Sequence, residues 1–113
     1  LPKNNNEEKK IREKEIINST LYAAKVPLKV MKESFLIYSH IKNLVDNGNQ
    51  NSISDSGVAC LCVYACIHGA YLNVRINLKD IENDQGIMKE AIEILKKSEI
   101  EKEKILRLID QKI

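Results

Sequence analysis

Gly57–Leu72 reads GVACLCVYACIHGAYL, and almost every residue in it is apolar, with His68 the one ionisable exception. A run without polar alternation and without strand period is a helix apolar on all sides, which belongs in a protein core or in a membrane. Its sixteen residues rise about 24 Å, short of the roughly 30 Å of hydrocarbon a spanning helix has to cross. Ala, Gly and Cys recur through the run and allow neighbouring helices to approach closely. The stretch therefore reads as the central, buried helix of a soluble bundle, extending over about residues 53–79.

Upstream, Ile17, Leu21, Ala24, Leu28, Met31, Phe35 and Tyr38 follow one another at alternating gaps of four and three, which keeps them on a single helical face. Ile41 and Val45 continue that face, and Gly48 follows as a C-terminal cap. The helix covers about residues 7–47. Pro27 lies inside it, without a backbone donor and crowding the carbonyl of Ala23, so a kink is expected there. Between this helix and the apolar run, Asn47–Ser54 (NGNQNSIS) has the composition of a turn. Ser52 with Asp55 three residues on resembles a capping box, with Asp replacing the usual Glu.

Downstream, Asp84 or nearby Asn83 opens a segment that runs to Ile113. Ile87, Ala91, Ile94, Ser98, Ile105 and Leu108 mark one face, Met88, Ile92 and Leu95 flank it, and Lys and Glu cover the rest. This is an amphipathic helix over about 84–113. The fold class is all-α: a bundle of three main long helices. Three such elements in 113 residues leave a thin core, so further helices or a second copy are expected to complete it.

The bulk properties exclude more than they select. Apolar residues make up 43% and charged residues 30%, and the formal charge is only +2, so no basic surface calls for nucleic acid or an acidic membrane. Trp is absent and aromatics are scarce, which argues against a base-stacking platform. Three cysteines in one apolar run fit a reduced, cytoplasmic protein. The opening Leu1-Pro2, with no initiator Met and no secretory signal, is expected to lie partway through a longer protein.

Chemistry requires polar groups that face inward. Asn73 and Asn77 are four apart on the continuation of the apolar helix and share a face, with Gly69, Cys66 and Cys62 leading back along it. Arg75 points roughly to the opposite side. The two amides suit a polar ligand, and equally suit helix ends or each other. Asp55 is explained by capping and the helix dipole as readily as by catalysis. His68 reads first as a satisfied core histidine. Cys60, Cys62, Cys66 and His68 on one helix do not converge as a tetrahedral metal site requires, so no metal is expected.

Three words of the sequence carry a resemblance: Ala24–Leu28 (AKVPL), Gly48–Ala59 (GNQNSISDSGVA) and Gly69–Leu78 (GAYLNVRINL). In this order they resemble the formimidoyltetrahydrofolate cyclodeaminase family, which includes methenyltetrahydrofolate cyclohydrolases, and the chain is similar to the C-terminal half of that domain. The resemblance implies a helical homodimer or higher homo-oligomer. It also implies an enzyme that closes formimidoyl-tetrahydrofolate to methenyl-tetrahydrofolate with release of ammonia, or that acts as a cyclohydrolase on methenyl-tetrahydrofolate. The folate is the substrate, and no metal or redox cofactor, nucleic acid or membrane is implied. Carried onto this sequence, the family's motif positions are Asn49, Asn51, Ser54, Asn73, Arg75 and Asn77 for substrate binding and Asp55 for catalysis. The competing reading is a non-catalytic helical dimerisation module.

Overall fold

The computed structural model describes the backbone of residues 2–113 and the side chains from Asn5 onward. Its elements are α1 (Pro2–Phe35), α2 (Ile37–Asn47), a 3-10 turn (Gln50–Ser52), α3 (Ile53–Leu78) and α4 (Ile87–Lys112), with no strand among the described residues. α1 and α2 together are the first long segment, so the three long helices expected from periodicity are present. The helix continues through Pro27, as expected of one that resumes after the proline, and a break that the spacing did not signal falls at Leu36, whose N–H donates to the Glu33 carbonyl at 3.3 Å. Ala23 is exposed, so the carbonyl that Pro27 leaves without a donor can be solvated, which softens the cost of an interior proline.

The face marked by the four-and-three spacing is the buried one. Leu21, Ala24, Leu28, Met31, Tyr38, Ile41 and Val45 all lie in the core, while Phe35 packs at its edge. Ile17 is an exception, at 44% exposed. All side chains from Asn5 to Ser19 are exposed, because α1 outruns its neighbours: the molecule measures 74 × 17 × 15 Å. α4 buries Ile87, Ala91, Ser98, Ile105 and Ile109. Ser98 is fully buried, yet its Oγ lies 2.7 Å from the Tyr38 hydroxyl, so both polar groups are satisfied.

The turn between α2 and α3 is closed differently from the expected capping box. Ser52 makes no side-chain cap on α3. Instead Asn49 Oδ1 accepts from the N–H groups of Asn51 and Ser52 at 3.0 and 3.1 Å, and Ser52 Oγ donates to the Asn49 carbonyl. Asn, one residue earlier than the 3-10 turn, outcompetes Ser because its longer side chain reaches two successive donors. Gly48 does end α2, donating to the Leu44 carbonyl at 2.7 Å. At the other end of α3, Asp84 prepares α4: its two carboxylate oxygens accept from Gly86 and Met88 N–H. The helix proper begins at Ile87, after Gln85 and Gly86 in left-handed conformations.

α3 corrects two expectations. At 26 residues it rises about 39 Å, so the argument that it is too short to cross a bilayer fails. With the preceding 3-10 turn it is one helix long and apolar enough for that by length and composition. It is also not buried all round. Ile53, Cys60, Val63, Ile67, Ala70, Val74 and Leu78 face α1 and α4, whereas Val58, Leu61, Leu72 and Ile76 are between 50% and 67% exposed. Two neighbouring helices cover one side of a third and leave the other side open.

Candidate functional site

The expected site residues fall into three groups, and a single chain does not unite them. The first group is the turn. Asn49 is committed through its side-chain oxygen to the turn itself, and Asn51, Ser54 and Asp55 are exposed around the start of α3. Asp55 is the acidic residue of the first helical turn.

The second group is a groove between α1 and α3, with a volume of about 520 Å³, lined by Val26, Pro27, Val30, Cys66, Gly69, Asn73 and Asn77 among others. It is built from two of the three sequence words, Ala24–Leu28 and Gly69–Leu78, which are far apart in the chain and meet across the helix pair. Asn77 donates through Nδ2 to the Asn73 carbonyl at 2.8 Å. That bond fixes the Asn77 side chain and leaves its Oδ1 to accept, beside the exposed amide of Asn73. An acceptor next to a donor–acceptor pair, over an apolar floor, suits a flat polar heterocycle.

Arg75 belongs to neither group. Its guanidinium carbon stands 5.7 Å from the centroid of the Tyr71 ring, on the opposite flank, in a wider groove of about 840 Å³ shared with Leu72, Lys79, Asp84 and Met88. Eighteen positions separate Asp55 from Asn73, and along one helix that is about 27 Å. Within one chain Asp55 and the amide pair therefore do not meet on one reacting atom.

One polar cluster escaped the sequence reading. Tyr64 donates to Glu99 Oε1 at 3.1 Å and lies 3.2 Å from His68 Nδ1, with the Lys102 ammonium 4.1 Å from its ring centroid. Burial first, and then the Glu99 carboxylate, push the Tyr64 phenol above its usual range. His68 is thereby a satisfied, half-buried histidine. The four-residue spacing of Tyr64 and His68 was visible in the sequence; Glu99 and Lys102 come from α4 and left no local signal. Cys60 is buried, and burial pushes its thiol up, while Cys62 and Cys66 are exposed.

The fold and groove define a helical protein whose core is open along one face of its central helix and whose polar amides sit beside that face. The chain belongs to the formiminotransferase-cyclodeaminase family, whose model matches residues 1–97. It is 36% identical over 95 residues to a methenyltetrahydrofolate cyclohydrolase of Methylorubrum extorquens, covering 84% of this chain and 45% of that protein. It is 36% identical over 84 residues to the formimidoyltransferase-cyclodeaminase of Rattus norvegicus, covering 74% of this chain and 16% of that protein. The Dictyostelium discoideum formimidoyltransferase-cyclodeaminase is 34% identical over 93 residues, covering 80% of the chain and 17% of that protein. The chain thus spans less than half the length of these relatives.

Proposed function

We propose that this chain forms part of a folate one-carbon enzyme that cyclises formimidoyl-tetrahydrofolate to methenyl-tetrahydrofolate with release of ammonia. The observation that carries the reading is the groove: two family-like words meet to place the Asn73 amide and the Asn77 oxygen over the apolar floor of Val26, Pro27 and Gly69. The amide-like edge of a pterin presents complementary donors and acceptors to such a pair.

In this reaction one folate nitrogen attacks the formimidoyl carbon held by the other. The tetrahedral carbon then loses its amino group as ammonia, and a proton has to reach that departing nitrogen. The carbon keeps its oxidation level, so the step calls for no redox cofactor, and the protein's part is positioning and proton supply. Asp55 is the proton carrier in this reading. Asp55 is exposed in one chain, and in this reading a second copy in a homodimer covers it. In this reading the protein is cytoplasmic, which three cysteines without a disulfide suit, with α3 acting as a bundle helix and no membrane or nucleic acid as partner.

A second reading, hydrolysis of methenyl-tetrahydrofolate, is favoured by the Methylorubrum relative, which bears the cyclohydrolase name and aligns over 84% of this chain. Absorbance-monitored methenyl-tetrahydrofolate formation from the formimidoyl substrate, run beside its hydrolysis, separates the two. Asp55→Ala is expected to abolish turnover at a stability cost of about 1 kcal/mol, that of an ordinary helix-start residue. Loss of folding in that variant would return Asp55 to a structural role. A chain that neither turns over nor binds tetrahydrofolate is a helical dimerisation module.

A further inference from the structure

The turn that carries Asn49, Asn51, Ser54 and Asp55 fixes its own shape but not its place. Asn49 Oδ1 and Ser52 Oγ close it internally, and Ser56 Oγ donates to the Ser52 carbonyl at 3.1 Å. Every residue from Asp46 to Asn51 is exposed, so the nearest anchors in the core are Val45 before the turn and Ile53 after it. The first turn of α3 has no side-chain cap of its own. It stays helical, and Asp55 stays in place, only while the 3-10 turn before it is held.

The end of α4 holds that turn from outside. The last carbonyls of a helix have no partner within it, and here α4 and the segment from α2 into the turn satisfy each other's. Lys112 Nζ donates to the Val45 carbonyl in the last turn of α2 at 3.0 Å, and Gln50 Nε2 donates to the Lys112 carbonyl at 2.9 Å. A cation at a helix C-terminus also suits the helix dipole. About one turn earlier, the buried Ile109 packs on Gly57, where an added Cβ would stand 3.4 Å from Ile109 Cδ1. α4 thus touches the end of α2, the turn and the start of α3 within a single turn of its own. The three family-like words end at Leu78 and the family match at residue 97, so Lys112 lies outside both.

We propose that Lys112 and Gln50 are positioning residues, a pair of reciprocal caps through which the end of α4 holds the turn and, with it, Asp55 at the start of α3. Their role in turnover rests on the folate reading; the bracing of the turn does not. A long lysine side chain loses rotamer freedom when it is held. The bond persists because Val45 is buried and its carbonyl, in the last turn of α2, lies beyond the reach of a helical N–H. Arg in place of Lys112 keeps a charged donor, whereas Met keeps the apolar stem and removes it.

Amide hydrogen exchange of the full chain reads the brace without any substrate. In Lys112→Met the amides of Gly48, Asn51 and Ser52 are expected to exchange about tenfold faster, as loss of one hydrogen bond from a charged donor implies. Amides in the middle of α3, at Ile67 and Val74, are expected to keep their wild-type rates, and Lys112→Arg to restore the turn. Gln50→Leu removes the other cap and is expected to act in the same direction. Turn amides unchanged in both Lys112→Met and Gln50→Leu, or all of α3 exchanging faster in step with them, overturn the brace.

Turnover separates positioning from folding. In Lys112→Met kcat is expected to fall by about tenfold to a hundredfold, the order of loss that a misplacement of about 1 Å brings. KM should hold, because the Asn73–Asn77 groove is untouched. Lys112→Arg should recover kcat, and Lys96→Met, on the exposed side of the same helix, should leave both constants unchanged. A loosened turn with wild-type kcat, or no recovery in Lys112→Arg, overturns the positioning role. A silent wild-type chain rejects the folate reading, and hydrogen exchange then decides the brace alone.

Discussion

Tyr38 and Ser98 are joined by a buried hydroxyl pair at 2.7 Å, between helices that the chain separates by sixty residues. Ser98→Ala strands the tyrosine hydroxyl, and a buried unsatisfied group of this kind costs about 1–3 kcal/mol; denaturant unfolding of the variant should show a loss in that range. Tyr38→Phe made together with Ser98→Ala removes both partners, and the double variant should recover part of it. At Gly48 the constraint is steric rather than conformational: its backbone is extended, with φ −80°, but an added Cβ would collide with the Leu44 carbonyl oxygen. Gly48→Ala is expected to cost about 1–3 kcal/mol, as overpacking does, read as a fall in thermal midpoint. The sequence marked Gly48 as a cap from its place after the apolar stripe. It did not reveal Asn49 as the residue that organises the turn, because Ser52 and Asp55 satisfied the same local pattern and only the backbone path chose between them.

At the scale of elements, α1 shows how a local rule yields to its surroundings. Pro27 forbids one hydrogen bond, yet Leu21, Ala24, Leu28 and Met31 on either side of it are buried in register, and keeping that stripe continuous outweighs the lost bond. Pro27→Ala should therefore stabilise the chain by about 1–3 kcal/mol, towards the low end because Ala23 is solvated. Chemical unfolding of the variant checks this, and a destabilised variant would show that the ring's packing in the α1–α3 groove matters more than the missing donor. α4 was legible almost throughout, since Lys and Glu on its outer face leave one candidate inner face. α3 was legible as a helix but not in its orientation: a helix apolar on every side carries no periodic signal of which side meets its neighbours.

For the molecule as a whole, the buried titratable groups predict how stability depends on pH. Burial raises the Cys60 thiol above its ordinary 9.0, more than the nearby Lys102 lowers it, and raises the Tyr38 phenol above 10.0 against the lowering effect of Ser98. Both groups bind protons more tightly folded than unfolded. Their contribution is complete below the unfolded values, near pH 9, and is lost as pH rises through the higher folded values. Urea midpoints should thus fall between pH 8 and pH 10.5, and less steeply in Cys60→Ala once its cavity cost is subtracted. By itself, the sequence determined that the chain is helical, most of the residues of α1, α2 and α4 that face the core, with Ile17 and Ile109 the exceptions, and which words point to the folate family. All of these follow from local spacing or from residue identity. Only the tertiary structure decided that Ala24–Leu28 and Gly69–Leu78 share one groove, and that Tyr64 and Ser98 find partners on other helices. These depend on where helices cross and how far each outruns its neighbour, and helical period alone says nothing of either.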